Sequence, residues 1–106
     1  MWTVELLNQA VMVELSNLPV DMQARFQRIV LLIQQHGLDR VREPHIKHVA
    51  GAIWEMRLSG RDGIARALYV AARGRRVVVV RVFVKKTEKT PRHEIEIALQ
   101  RAKEIR

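Results

Sequence analysis

The sequence predicts an α+β fold: a small antiparallel sheet with an N-terminal helical hairpin and a C-terminal helix packed on one face. Three observations predict it. Phe26, Ile29, Val30 and Ile33 recur at helical spacing. Between residues 53 and 84, strand-like runs alternate with glycine-bearing turns. A Thr90-Pro91 pair then opens a last segment with an apolar stripe. Strand, two helices, three antiparallel strands and helix make a layer of helices over a sheet.

Residues 2–7 alternate loosely and read as a short strand. Residues 9–15 read as a short helix stopped by Asn17-Leu18-Pro19. Pro19 suits the start of a second helix over 20–36, with Asn17 or Asp21 available as its cap. Gly37 is a suitable stop. Residues 38–51 read as a polar connection. Over 53–58, Trp54, Met56 and Leu58 share one face, and Glu55 and Arg57 share the other. Trp54 reads as a core anchor. Residues 59–63 carry turn chemistry, 64–71 a second strand, and 72–74 a hairpin turn. Tyr69 reads as a packing residue. The third strand, 75–84, contains four consecutive valines, which suggests cover on both faces. Thr90 is placed to cap the last helix, with Pro91 at its first position. Ile95, Ala98, Leu99 and Ala102 form that helix's apolar stripe.

The chain has 106 residues, which fits one domain spanning 1–106. An apolar fraction of 48% with 28% charged residues reads as soluble and globular. No apolar run is long enough to cross a membrane, and residues 1–5 show no secretory pattern. The absence of cysteine excludes disulfides and thiolate chemistry. The expected compartment is the cytoplasm, with no membrane partner.

Net charge is +8, unevenly placed. Residues 1–44 carry four Lys/Arg and five acids; residues 45–106 carry 15 and six. A basic half-chain points to an acidic polymer, RNA or DNA. Arg57, Arg66, Arg81 and Lys85 lie on three successive strands. Arg81, Phe83 and Lys85 alternate onto one face, which would make a basic groove with a ring for base stacking. The bland alternative is a solvated sheet face. Lys85, Lys86 and Lys89 suit phosphate, or form a solvated turn. His45, Lys47 and His48 precede the strand over 53–58 and suit RNA contact or proton transfer, or form a surface histidine pair in a loop; His93, near the lysines, suits phosphate contact or simply faces water. No metal-ligand spacing is present, and no cofactor motif, Ser-His-Asp arrangement, Gly-rich phosphate loop or paired-carboxylate motif appears. A self-standing DNA repressor is disfavoured, because no helix-turn-helix pattern appears.

The blocks Trp54-Glu55-Met56-Arg57, Arg66-Ala67-Leu68-Tyr69 and Phe83-Val84-Lys85-Lys86-Thr87-Glu88-Lys89-Thr90-Pro91 resemble the phage-derived HigB-like branch of the RelE/ParE toxin superfamily. Leu18-Pro19, Gly37, Glu94-Ile95 and Ala98 extend the resemblance over nearly the whole chain. It implies a RelE-like fold and the toxin of a type II toxin–antitoxin system. The implied activity is a ribosome-dependent mRNA endonuclease, cutting through the ribose 2′-hydroxyl without metal or cofactor. The implied partners are a HigA-like helix-turn-helix antitoxin, mRNA and the ribosome, with operator DNA met only through the antitoxin complex. Arg57, Arg66, Lys85 and Lys86 would carry the catalytic cations. Lys47, His48, Arg81, Phe83, Lys89 and His93 would contact RNA. The chain lacks the tyrosine that RelE itself uses near its C-terminus, and Arg81 stands where many relatives have histidine. The general base is therefore unassigned. The alternative is a non-catalytic module of the same fold that binds an antitoxin or nucleic acid.

Overall fold

The computed structural model describes residues 1–86 and 88–106; Thr87, part of the lysine motif, lies outside the described residues. In chain order the elements are β1 (Thr3–Leu6), α1 (Gln9–Ser16), α2 (Val20–His36), β2 (Ile46–Ala50), β3 (Ile53–Gly60), β4 (Gly63–Ala72), β5 (Arg76–Lys85) and α3 (Arg92–Ala102). A 3-10 turn at Leu38–Arg40 follows α2. The strand order is β1-β5-β4-β3-β2. No helix among the described residues is long and apolar enough to cross a membrane.

The α+β class holds, with three corrections. The sheet is mixed, because β1 lies parallel to β5 while the other pairs are antiparallel. Alternation along a strand does not encode the direction of its neighbour. The connection over 38–51 contains β2, an edge strand whose Lys47 and His48 are exposed. Its weak apolar signal hid it. Finally, the helices cover both faces. Val11, Met22, Phe26, Ile29 and Ile33 of α1 and α2 pack with Met56, Leu58, Tyr69, Val77 and Val79. Ala98 of α3 packs on the opposite face with Ile53, Leu68, Val78, Val80 and Phe83. Val77 and Val79 thus point one way and Val78 and Val80 the other, so β5 requires apolar cover on both sides.

The helix starts differ from expectation as well. Asn8 caps α1 by accepting from the Val11 N–H at 3.1 Å. Neither Asn17 nor Asp21 caps α2, which begins after Pro19 with no side-chain cap. Asp21 instead accepts from the Arg61 N–H in the β3–β4 turn. Thr90 does not cap α3; its hydroxyl donates to Glu55 Oε1 at 2.6 Å. Gly37 ends α2 as expected, with φ of 86° and its N–H donating to the Ile33 carbonyl at 2.8 Å.

A β-bulge interrupts the β4–β5 ladder. Leu68 pairs with Arg81 and Tyr69 with Val79, leaving Val80 as the extra residue. Val80 and Arg81 therefore fall on the same face. Past the bulge, Arg81, Phe83 and Lys85 share the α3 face, while Val82 turns to the α1–α2 face.

β1 ends opposite Val79, so the next part of β5 has a free edge. Side chains satisfy it. Glu14 Oε1 accepts from the Val82 N–H at 3.0 Å, and Arg101 Nη1 donates to the Val80 carbonyl at 2.9 Å. Arg81 and Arg101 converge on Glu14 at 2.7 and 2.9 Å, and Arg81 also binds Glu94. One carboxylate thus ties α1, β5 and α3 together.

Burial pushes the Glu14 carboxyl up, but hydrogen bonds from Arg101 and the Val82 N–H, with the nearby guanidinium charges, outweigh it and hold the carboxyl below its ordinary range. A carboxylate depressed in the folded state contributes stability above its unfolded pKa and loses it as pH falls. Glu14→Gln is expected to cost about 2 kcal/mol at pH 7. In urea titrations across pH, the gap between wild type and variant should stay constant above the ordinary value of 4.5 and narrow below it.

Candidate nucleic-acid interface

Strand register assembles the site. Arg57 of β3 stands opposite Arg66 of β4, which stands opposite Phe83 of β5. Lys47 of β2 pairs with Glu55, and Ile64 pairs with Lys85. These residues share the α3 face of the sheet, beyond the part covered by α3. There a groove of about 960 Å³ opens, lined by Lys47, Glu55, Arg57, Arg66, Lys85 and Lys86 among others.

The electrostatics of this groove are unfavourable without a ligand. Arg57 and Arg66 are directly opposed like charges, an arrangement that destabilises a strand pair. Arg66 is only 4% exposed. Its Nε lies 3.0 Å from Glu55 Oε2, yet among the described residues Nε and Nη1 have no hydrogen-bond partner. The contact is one of charge in an off-axis geometry, and the buried guanidinium remains under-bonded. Burial lowers the Arg66 pKa; the neighbouring Arg57 lowers it further, against Glu55. Lys85 is likewise pulled below the usual ammonium range, first by burial, then by Arg66, with Glu55 opposing and Arg57 and Lys47 adding. Each of these cations is better accommodated when an anion enters.

The structure brings most of the anticipated residues together. Arg57, Arg66, Lys85, Lys86, Lys47, His48 and Lys89 all line the groove. Arg57, Lys86, Lys47, His48 and Lys89 are exposed. Three residues do not fit the expectation. Arg81 is tied to Glu14 and Glu94 rather than facing an open groove. Phe83 is buried among Leu68, Val80 and Ala98, so it offers no stacking surface. His93 lies outside the groove on the first turn of α3, with Nε2 3.4 Å from Glu94 Oε2. All three changes follow from α3 lying on this face. Trp54 is also not a core anchor: it is 37% exposed.

Glu55 is the residue that sequence reasoning missed. Its polar place on the alternating strand was visible, but its burial depends on cross-strand neighbours. It is 4% exposed, and it joins Arg66 on β4 to Thr90 in the segment after β5. Among the described residues, no three of His, Cys, Asp and Glu are grouped as a metal ion would need.

A small mixed α+β sheet with a cationic groove defines the class of this protein. Residues 13–103 match the model of a family described as phage derived protein Gp49-like (DUF891), and the chain belongs to that family. No curated protein matches the chain.

Removing the Glu55 charge would leave Arg66 buried without a counter-charge. Glu55→Gln should lower unfolding stability by about 3 kcal/mol. Thr90→Val, which removes one hydrogen bond, should cost about 1 kcal/mol in the same denaturant titration.

Proposed function

We propose that the protein is the toxin of a type II toxin–antitoxin system, of RelE/HigB type, and acts as a ribosome-dependent mRNA endonuclease. The observation that carries this reading is the groove itself: the exposed Arg57 guanidinium opens into it beside Arg66, Lys85 and Lys86. A phosphate is the ligand that such a fork suits.

In the proposed reaction the ribose 2′-oxygen attacks the adjacent phosphorus as its proton passes to water, closing a 2′,3′-cyclic phosphate, while the bond from phosphorus to the next nucleotide's 5′-oxygen breaks and that oxygen takes a proton from water. Arg57 and Arg66 hold the non-bridging oxygens. Lys85 and Lys86 offset the charge that develops on the phosphorane. Lys47 and Lys89 hold the flanking backbone. His48 lines the groove with its Nε2 2.8 Å from the Gly51 carbonyl. The proposed inhibitor is a helix-turn-helix antitoxin, through which the pair would meet operator DNA.

Expression of the wild type should arrest growth, and co-expression of the antitoxin should relieve it. Cleavage mapping on a translated mRNA should show cuts that fall about 100-fold or more in Arg57→Ala and Lys86→Ala. Wild type and Lys86→Ala being equally harmless, with the message intact, would sink the nuclease reading. Tight RNA or antitoxin binding without any cut would then establish a non-catalytic module.

Binding of a short single-stranded RNA should weaken with salt. The six cations assigned to the RNA backbone predict a log–log slope of roughly −4, and Lys86→Ala should make it shallower by about 0.7. A flat salt response would show that the cations do not hold phosphates.

A further inference from the structure

The strand order leaves β2 at the end of the sheet, with an outer edge that no strand covers. The Arg57 N–H donates to the His45 carbonyl at 2.8 Å, and Lys47 stands opposite Glu55. Backbone direction alternates along an antiparallel strand. His45 and Lys47 therefore turn their backbone groups toward β3, and Ile46 and His48 turn theirs outward. The Ile46 N–H is taken by the Arg42 carbonyl at 3.4 Å. Among the described residues, the Ile46 carbonyl and the His48 N–H and C=O have no backbone partner outside the sheet.

The side chains of β2 alternate as well. Lys47 lies beside Glu55 on the α3 face, toward the cationic groove. Ile46 and His48 lie beside Met56 and Trp54 on the α1–α2 face. There a second groove, of about 680 Å³, is lined by Leu38, Val41, Trp54, Tyr69 and Ala71 among others. Ile46, Lys47 and His48 line both grooves, although their side chains point to opposite faces. Both grooves therefore reach the outer edge of β2, one on each side of it.

A strand laid along that edge sends alternate side chains to the two faces, so one extended chain enters both grooves. The two faces differ in chemistry. The cationic groove has six Lys and Arg side chains against three glutamates, which favours carboxylates. The other groove is largely apolar and aromatic, which favours aliphatic side chains. A second copy of β2 is a poor occupant, because it would bring its own Lys47 to this one. An edge lysine ordinarily discourages strand pairing; an acidic strand is the exception. Nucleic acid has no row of N–H and C=O groups to match the edge.

We infer that the outer edge of β2 is a docking site for an extended segment of a partner protein, added as an antiparallel strand, whose acidic residues on the Lys47 side alternate with apolar residues on the His48 side. Main-chain hydrogen bonds hold the segment, and the two grooves select its sequence. Docking of this kind goes beyond the RNA reading and needs no cleavage.

The full-length chain, isotope-labelled, is titrated with an end-blocked peptide of about seven residues that alternates valine and glutamate, long enough to span β2. Exchange of the His48 amide should slow roughly ten-fold or more on binding. In the antiparallel arrangement the valine N–H groups face β2 and the glutamate N–H groups face solvent. N-methylation of two inner valines should weaken binding about ten-fold, and N-methylation of two glutamates less than about two-fold. Replacing the glutamates by lysine should abolish binding. Every change lies in the peptide, so the protein's own fold is untouched. Equal binding by a peptide with the same residues grouped in blocks, equal loss from both methylations, or an unchanged His48 amide would show a chain held by charge alone and overturn the docking site. Absence of peptide binding overturns it too, and leaves RNA binding in the cationic groove to stand or fall by its own salt response.

Discussion

The bulge at Val80 is the constraint on which the rest of the structure depends. One extra residue in β5 changes which way the remainder of that strand points. Upstream, Val77 and Val79 face α1 and α2. Downstream, Arg81, Phe83 and Lys85 share a face with Arg57 and Arg66. Without the extra residue, Arg81 and Lys85 would fall on the α1–α2 face, where the core is apolar. The cations of three strands meet only because the bulge re-aims the last of them.

The position of α3 follows from the same face. Its Ala98 covers the apolar part, where Val78, Val80 and Phe83 lie, and leaves the cationic part uncovered. Glu14, Arg81, Glu94 and Arg101 fix that boundary. They also satisfy the edge of β5 where β1 stops, which removes a row of free backbone groups that could otherwise pair with another chain. The same charges therefore orient α3 and protect the sheet edge. Arg81 is structural on this account, although its residue type and its place on the strand suggested a ligand.

In the groove, charge has been concentrated at a cost to the folded state. Arg66 is buried beside Arg57 and Lys85, with the Glu55 carboxylate set against them. A site built for stability alone would place apolar residues there. The strands hold these groups in fixed register, so the geometry exists before any anion arrives. Thr90 links Glu55 to the segment after β5, and so couples the lysines to the floor of the groove.

Sequence by itself determined the α+β class, the two N-terminal helices, the three long strands and the membership of Arg57, Arg66, Lys85 and Lys86 in one basic region. These rest on local periodicity and on charge, which a chain carries wherever it folds. It also marked Gly37 as a stop, because its φ of 86° follows from a local requirement. The tertiary structure decided the rest. The parallel placement of β1, the edge strand β2 and the face chosen by α3 depend on partners distant in the chain. So do the burial of Glu55 and Phe83 and the exposure of Trp54. A residue's alternation shows which neighbours it stands with along the strand; only packing shows what covers them.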